Sequence, residues 1–248
     1  MIEDTETWVN RHTNSSAKYR LICFPHAGGH SSFFHQWAQE LNEFEVCSIL
    51  YPGRAERIDE NQPTDLYLVA SQIASAIQPL NDLPLILFGH SMGAAVALEA
   101  ARSLQNSGYN VSHLIASGSR NGPLPQKEPH VEEDDESLCK HLVEMGGTAP
   151  DVINDPIFLD LVLPSIRADG KMFKEYNMSI NTKLKCPITT LYGDIDEHAD
   201  IRPWESITNN VFNEICVKGD HFYLVDMPPY KHIREIVKSS NLSKTIAS

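Results

Sequence analysis

Apolar positions along this chain fall into short continuous runs that alternate with segments of helical period. Tyr19–Phe24, Glu45–Leu50, Leu85–Phe88, His113–Ser117, Ile188–Tyr192 and Phe212–Val217 are such runs. Each predicts a strand with little solvent contact. Between them, Asp65–Gln78 carries Leu66, Val69, Ala70, Ile73 and Ile77 at i, i+3, i+4 spacing, which predicts a helix with one apolar face. The alanine-rich stretch Gly93–Ser107 predicts a second helix, Phe33–Leu41 a short one, and the residues after Pro229 a last one. Repeated strand–helix alternation implies an α/β architecture, a mostly parallel sheet covered on both faces.

The alternation stops after Ser117. Gly122–Lys127 holds a glycine and two prolines, and His130–Glu136 holds five acidic residues. Helical segments follow around Glu136–Met145, Asp155–Arg167 and Lys171–Tyr176 with no strand between them. The reading is one domain over 1–248 with a helical insertion at about 122–180 across one end of the sheet. The acidic run reads as a solvated loop.

One junction carries chemistry. The strand Leu85–Phe88 runs into Gly89-His90-Ser91-Met92-Gly93, and the alanine-rich helix follows at once. A serine at the tip of a strand-to-helix turn needs small neighbours two positions before and after it, and this is the pattern of a nucleophile elbow. The motif G-x-S-x-G alone arises by chance in about one chain in ten of this length. Its flanking strand and helix make it specific.

Ser91 needs a base to take its proton, and the base needs a carboxylate to orient it. On an elbow-bearing fold the order is serine, acid, histidine. Two late loops qualify because each leaves the end of a predicted strand, where open α/β sheets gather reactive groups. The loop after Tyr192 offers Gly193-Asp194-Ile195-Asp196; the loop after Val217 offers Lys218-Gly219-Asp220-His221. His221 is the base of choice, ahead of His26, His90 and His198. His90 adjoins the nucleophile on a tight turn and reads as structural. Asp196 has room to reach back to His221 and is preferred to Asp194, which reads as a turn residue. Charge developing on a substrate carbonyl needs two backbone N–H donors. Met92, after the nucleophile, and Ala27, in the glycine-rich loop Pro25–Gly29, are the expected pair.

Bulk properties narrow the partners. The formal charge is −13 over 248 residues, which argues against a nucleic-acid surface or adhesion to anionic lipid. Met1–Lys18 is polar and has no secretory pattern, and no apolar run is long enough to span a bilayer. The five cysteines, at 23, 47, 139, 186 and 216, are dispersed, as suits reduced thiols in a cytoplasm. Cys23, Cys47 and Cys216 lie in apolar runs and read as core. Histidines, cysteines and carboxylates do not gather at ligand spacing, so no metal site is expected.

With these residues placed, the chain resembles the type II thioesterases of nonribosomal peptide and polyketide synthesis, within the α/β-hydrolase superfamily. The resemblance runs from about Leu21 to Val237. Its signatures are Phe24-Pro-His-Ala-Gly-Gly29 with Phe33, Phe34 and Trp37; Tyr51-Pro-Gly-Arg54 with Arg57; and Phe88-Gly-His-Ser-Met-Gly-Ala94. Arg167-Ala-Asp169, Trp204 and Gly219-Asp-His-Phe-Tyr-Leu224 complete them. Two positions depart from the family pattern: Gly170 replaces a bulky apolar residue, with a looser lid or a wider acyl channel as the expected result, and Glu197 replaces a proline.

The resemblance implies an α/β-hydrolase fold with helices on both sheet faces and a helical lid. It implies hydrolysis of acyl groups from the phosphopantetheine arm of carrier domains through an acyl-Ser91 intermediate. The enzyme needs no cofactor of its own and is expected to be a cytoplasmic monomer. Two other hydrolases use the same triad, a medium-chain fatty acyl-carrier hydrolase and a small-molecule carboxylesterase. A catalytically silent scaffold is the alternative from outside enzymology. Arg54, Arg57 and Arg167 are read either as partners for a phosphate or carrier carboxylate or as structural ion pairs.

Overall fold

A computed structural model describes residues 4–124 and 134–245, apart from the side chains of 240–245. Most of the predicted acidic loop, 130–133, lies outside the described residues. A helical turn, α1 (Thr5–Trp8), and a short strand, β1 (Val9–His12), precede β2 (Tyr19–Phe24). A 3-10 turn at Ser31–Phe34 leads into α2 (His35–Glu40), then β3 (Phe44–Ile49), α3 (Leu66–Ile77), β4 (Leu85–His90) and α4 (Met92–Asn106). Two strands follow closely, β5 (Val111–Ser117) and β6 (Ser119–Asn121). After α5 (Asp135–Glu144) and α6 (Leu163–Glu175) come β7 (Ile188–Gly193), β8 (Asp200–Arg202), β9 (Phe212–Val217), α7 (Tyr223–Asp226) and α8 (Tyr230–Thr245).

Seven strands form one sheet in the order β1-β3-β2-β4-β5-β7-β9. All neighbours are parallel except β1, which runs antiparallel to β3. From β2 the chain moves outward to β3 and then returns to place β4 on the other side of β2. The winding direction therefore reverses between β2 and β4. Loops leaving the C-terminal ends of two such strands part company there and open a crevice. The loops in question begin at Pro25 and Ser91.

The two sheet faces are buried by different means. On one, α3 and α4 pack against β2 and β4 through Ile22, Leu87, Val69, Ile73 and Ala94–Ala101. Ala94, Ala95, Ala97, Ala100 and Ala101 are fully buried, and their small side chains let α4 lie close to the strands. On the other face, Phe34, Trp37 and Phe88 interlock edge-to-face with one another and share a buried core with Ile233, Ile236 and Val237 of α8.

The elbow is packed at backbone distance. A Cβ on Gly93 would lie 2.2 Å from the Phe24 carbonyl oxygen, and one on Gly89 2.1 Å from that of Gly93. Both obstacles are main chain, so no rotamer change relieves them. Gly93→Ala is therefore expected to destabilise the protein by about 3 kcal/mol, lowering its Tm by roughly 6–12 °C. A thermal melt equal to wild type would show that β2 can yield at Phe24.

The described residues between β6 and β7 include the helices α5 and α6, and these are divided differently from the segments the sequence predicts. The helices expected at Asp155–Arg167 and Lys171–Tyr176 are joined, because α6 continues through Gly170, whose missing Cβ faces open space. Before α6 the coil widens to a π turn over Phe158–Val162, where Leu163 N–H donates to the Phe158 carbonyl. Pro164 follows at once and has no N–H to continue an ordinary ladder. Cys139, Phe158 and Leu163 form a small core of their own with Leu142, Ile153 and Ile166.

Candidate active site

Ser91 stands between β4 and α4 with φ 55° and ψ −124°. A non-glycine residue occupies that region only where its surroundings impose it. Here Ser91 N–H donates to the Ser117 carbonyl and its own carbonyl accepts from Ala94 N–H, both at 2.9 Å. With Gly89 and Gly93 in backbone contact beside it, the serine is driven to the tip of the turn. Its position at the start of α4 also aims the positive end of the helix dipole at the crevice.

The two late loops are fastened to each other. Asp194 N–H donates to the Val217 carbonyl at 2.7 Å, and Ile195 N–H to that of Gly219 at 3.2 Å. Asp194 secures the join: its carboxylate accepts Gly219 N–H at 3.0 Å and pairs with Lys218 at 2.5 Å. The Lys218 hydrogen bond holds this carboxyl below the usual carboxylate range. Asp194 is thus committed to the loop. Asp196 instead points inward and brackets His221, with Oδ2 and Oδ1 at 3.0 and 3.1 Å from Nδ1. Its side chain is fully buried and that of His221 is 1% exposed. Asp196 also accepts His198 N–H at 2.9 Å, so its orientation is fixed from a second side.

Nε2 of His221 is buried and, among the described residues, makes no hydrogen bond, to Ser91 Oγ or to any other group. Catalytic hydrogen bonds are often loose before substrate arrives. The other histidines nearby are differently occupied. His90 Nδ1 is 2.9 Å from Ser117 Oγ, which in turn is 2.7 Å from the Tyr223 hydroxyl. Burial, with His221 and His26 adding to it, pushes His90 well below the ordinary imidazole range. His26 lies edge-on to Phe33 and Phe222, and burial, aided by His221 and Arg54, lowers it to about 4. Among the described residues, His221 alone of the three rings has a carboxylate partner.

The loop after β2 is a tight turn. Gly29 N–H donates to the His26 carbonyl at 2.8 Å, and Gly28 has φ +72°. Those are the features of a type II turn, with glycine where φ must be positive. Among the described residues, no protein acceptor takes the backbone N–H of Ala27 or of Met92. The Tyr51 hydroxyl donates to the Pro25 carbonyl at 3.3 Å and steadies the turn from below.

All three arginines singled out from sequence are engaged in ion pairs. Arg54 grips Asp169 with two nitrogens, at 2.6 and 2.7 Å, and both side chains are buried. Arg57 pairs with Glu60 at 2.6 Å and lies over the Trp8 ring. Arg167, partly exposed, pairs with Asp135 at 2.5 Å. Sequence reasoning did not pair Arg54 with Asp169, although both lie in signature segments. Their separation of 115 residues left no local signal. Among the described residues, no cluster of histidine, cysteine and carboxylate groups is placed to hold a metal ion.

Comparisons with known proteins agree with this geometry. The family described as the Thioesterase domain matches residues 19–240. The gramicidin S biosynthesis protein GrsT of Aneurinibacillus migulanus is 35% identical over 232 residues, 91% of each chain. The medium-chain S-acyl fatty acid synthase thioesterase of Rattus norvegicus is 34% identical, over 86% of this chain and 84% of that one. Among solved structures, the type II thioesterase BorB from the borrelidin biosynthetic cluster superposes with a TM-score of 0.80 at 31% identity, covering 97% of this chain and 99% of its own. A serine at a strained elbow, a buried aspartate–histidine pair and this likeness across nearly the whole length agree: the chain belongs to the thioesterase family and has its α/β-hydrolase fold.

Proposed function

We propose that the protein is a type II thioesterase that clears acyl groups from the phosphopantetheine arms of carrier domains in nonribosomal peptide or polyketide synthesis. The observation that carries this reading is the buried Asp196–His221 pair packed against His90, the residue before a strained Ser91, in a chain that matches GrsT over 91% of its length.

Ser91 Oγ attacks the thioester carbonyl carbon while His221 Nε2 takes its proton. Asp196 holds Nδ1 protonated, so that Nε2 is the basic nitrogen, and it stabilises the imidazolium that forms. The carbonyl oxygen becomes an oxyanion facing the N–H groups of Ala27 and Met92. As the carbonyl re-forms, the C–S bond breaks and the departing sulfur receives the proton from His221. A thiol with a pKa of roughly 8.5 needs little help to leave. Water then attacks the acyl-Ser91 ester, giving its proton to His221. Breaking the ester's C–O bond returns that proton to Ser91 and releases the acid. Deacylation is therefore the step that leans most on His221. The phosphopantetheine arrives as part of the substrate, and the reaction calls for no other cofactor.

Carrier domains of these synthetases work in the cytoplasm, and the thioesterase is read as a cytoplasmic monomer that meets them there. With Arg54 and Arg57 engaged internally, the docking face would have to draw on other residues. The docking contacts add to binding only when the acyl group is carrier-borne. The kcat/KM for an acylated carrier protein is accordingly expected to exceed that for the same acyl-CoA by about tenfold or more, the equivalent of roughly 1.4 kcal/mol of added contact. Equal values, or a preference for p-nitrophenyl esters, would point to a carboxylesterase. A sharp optimum for medium-length fatty acyl chains on a fatty-acid carrier would favour the activity named for the rat relative.

A further inference from the structure

Three segments far apart in sequence meet at the turn that carries Ala27. Asp169, in the middle of α6, accepts Gly28 N–H with Oδ2 at 2.8 Å. Arg54 fixes the same carboxylate with two hydrogen bonds, and its Nη1 also lies 3.4 Å from the Gly29 carbonyl. One turn earlier in α6, Ile166 fills the space where Gly28 lacks a side chain: a Cβ there would sit 2.1 Å from Ile166 Cγ1. Ser165 ties the helix to the loop after β3, donating to the Gly53 carbonyl at 3.3 Å and accepting from Gln62 Nε2 at 2.8 Å. Asp169 is fully buried and Arg54 is 6% exposed.

We propose that Asp169, locked by Arg54, is a positioning residue that sets the oxyanion hole by capturing Gly28 N–H and orienting the 26–29 turn. The inference rests on the proposed role of Ala27 as an oxyanion donor. Its physical content is a division of labour among three successive amides. Gly29 N–H closes the turn onto the His26 carbonyl, and Gly28 N–H is held by Asp169. The Ala27 N–H belongs to the same peptide unit as the His26 carbonyl and points the opposite way, towards a substrate. If Gly28 N–H were released, the peptide between Ala27 and Gly28 would be free to rotate, and the turn that aims the Ala27 N–H would lose one of its two anchors. A donor must already be in place when charge develops, because reorganising it costs the advantage it confers. It follows that α6 is part of the catalytic frame. Any opening of the helical region belongs to the segments before it.

The test compares two double variants that both remove the buried charges, since an unpaired charge would by itself destabilise the protein. R54M/D169N keeps a side-chain oxygen for Gly28 N–H, and R54M/D169L has none. The leucine variant is expected to lose about 10²-fold in kcat with KM within about threefold of wild type. The asparagine variant should recover most of that loss. A trifluoromethyl ketone substrate analogue is the probe of the hole. Ser91 Oγ adds to its carbonyl carbon, the C=O π bond becomes an oxyanion, and the serine proton passes to His221. Its affinity should fall in parallel with kcat/KM across the two variants. Equal kcat values in the two variants, or a loss confined to KM, would overturn the proposal.

Should the variants not fold, amide exchange in the wild-type protein decides the matter. Gly28 N–H should be protected before the ketone is added, and Ala27 N–H should move downfield when the adduct forms. A Gly28 amide that exchanges freely would overturn the proposal. Failure of the wild-type protein to form the adduct at all would instead count against the assignment of Ser91.

Discussion

Replacing Ser91 with alanine is expected to abolish turnover, lowering kcat by about 10⁴-fold or more, without loss of stability. The rate follows from the covalent route: Ser91, at the head of α4, is the proposed nucleophile, and the His221 ring lies 5.0 Å from that of its neighbour His90. The stability follows from the local structure. Ser91 is held at φ 55° by backbone hydrogen bonds to Ser117 and Ala94 and by the close packing of Gly89 and Gly93. None of these uses the hydroxyl. Alanine inherits the strained backbone unchanged, and carrier binding should survive. The measurement is single-turnover hydrolysis of an acyl-carrier substrate, with a thermal melt of the same sample. A residual rate within tenfold of wild type would move the nucleophile elsewhere.

The second large effect is expected at the acid. In Asp196→Asn the amide can turn its NH₂ toward His221 Nδ1, which favours the tautomer carrying the proton on Nε2. That nitrogen then cannot accept the proton of Ser91, and kcat should fall by about 10⁴-fold. The fold should persist, because an amide oxygen remains to accept His198 N–H. Asp194→Asn is the control. It breaks an exposed pair with Lys218, a kind of contact that contributes little, and it should leave kcat within about threefold. The two carboxylates are two residues apart, yet the expected losses differ by orders of magnitude. If Asp194→Asn proved the more damaging, the acid would be misassigned.

Much of this was legible in the sequence because it depends on local pattern. The runs at Tyr19–Phe24 and Phe212–Val217 coincide with β2 and β9, and the apolar spacing from Leu66 to Ile77 coincides with α3. The preference for Asp196 over Asp194 also rested on local geometry, and the structure pairs Asp196 with His221. What was not legible depends on distant partners. The strand β1, Val-Asn-Arg-His, has no alternation of its own and exists because it pairs antiparallel with β3. The short strands β6 and β8 likewise form only against each other. The sequence divides Asp155–Arg167 from Lys171–Tyr176, yet α6 runs unbroken from Leu163 to Glu175 through Gly170. Cys216 sits in an apolar run and reads as core, yet it is exposed, because β9 closes the sheet at an edge where one flank has no neighbouring strand. Arg54 and Asp169 are legible as charges and illegible as a pair.

That exposed thiol has a practical consequence. Four of the five cysteines are buried, and Cys216 alone is open to solvent. It lies on the strand that leads into Gly219-Asp220-His221. A maleimide dye or spin label would therefore attach at one defined place on the natural sequence, five residues from the proposed base. Movement of the histidine loop during turnover becomes observable by spectroscopy without substituting a single residue.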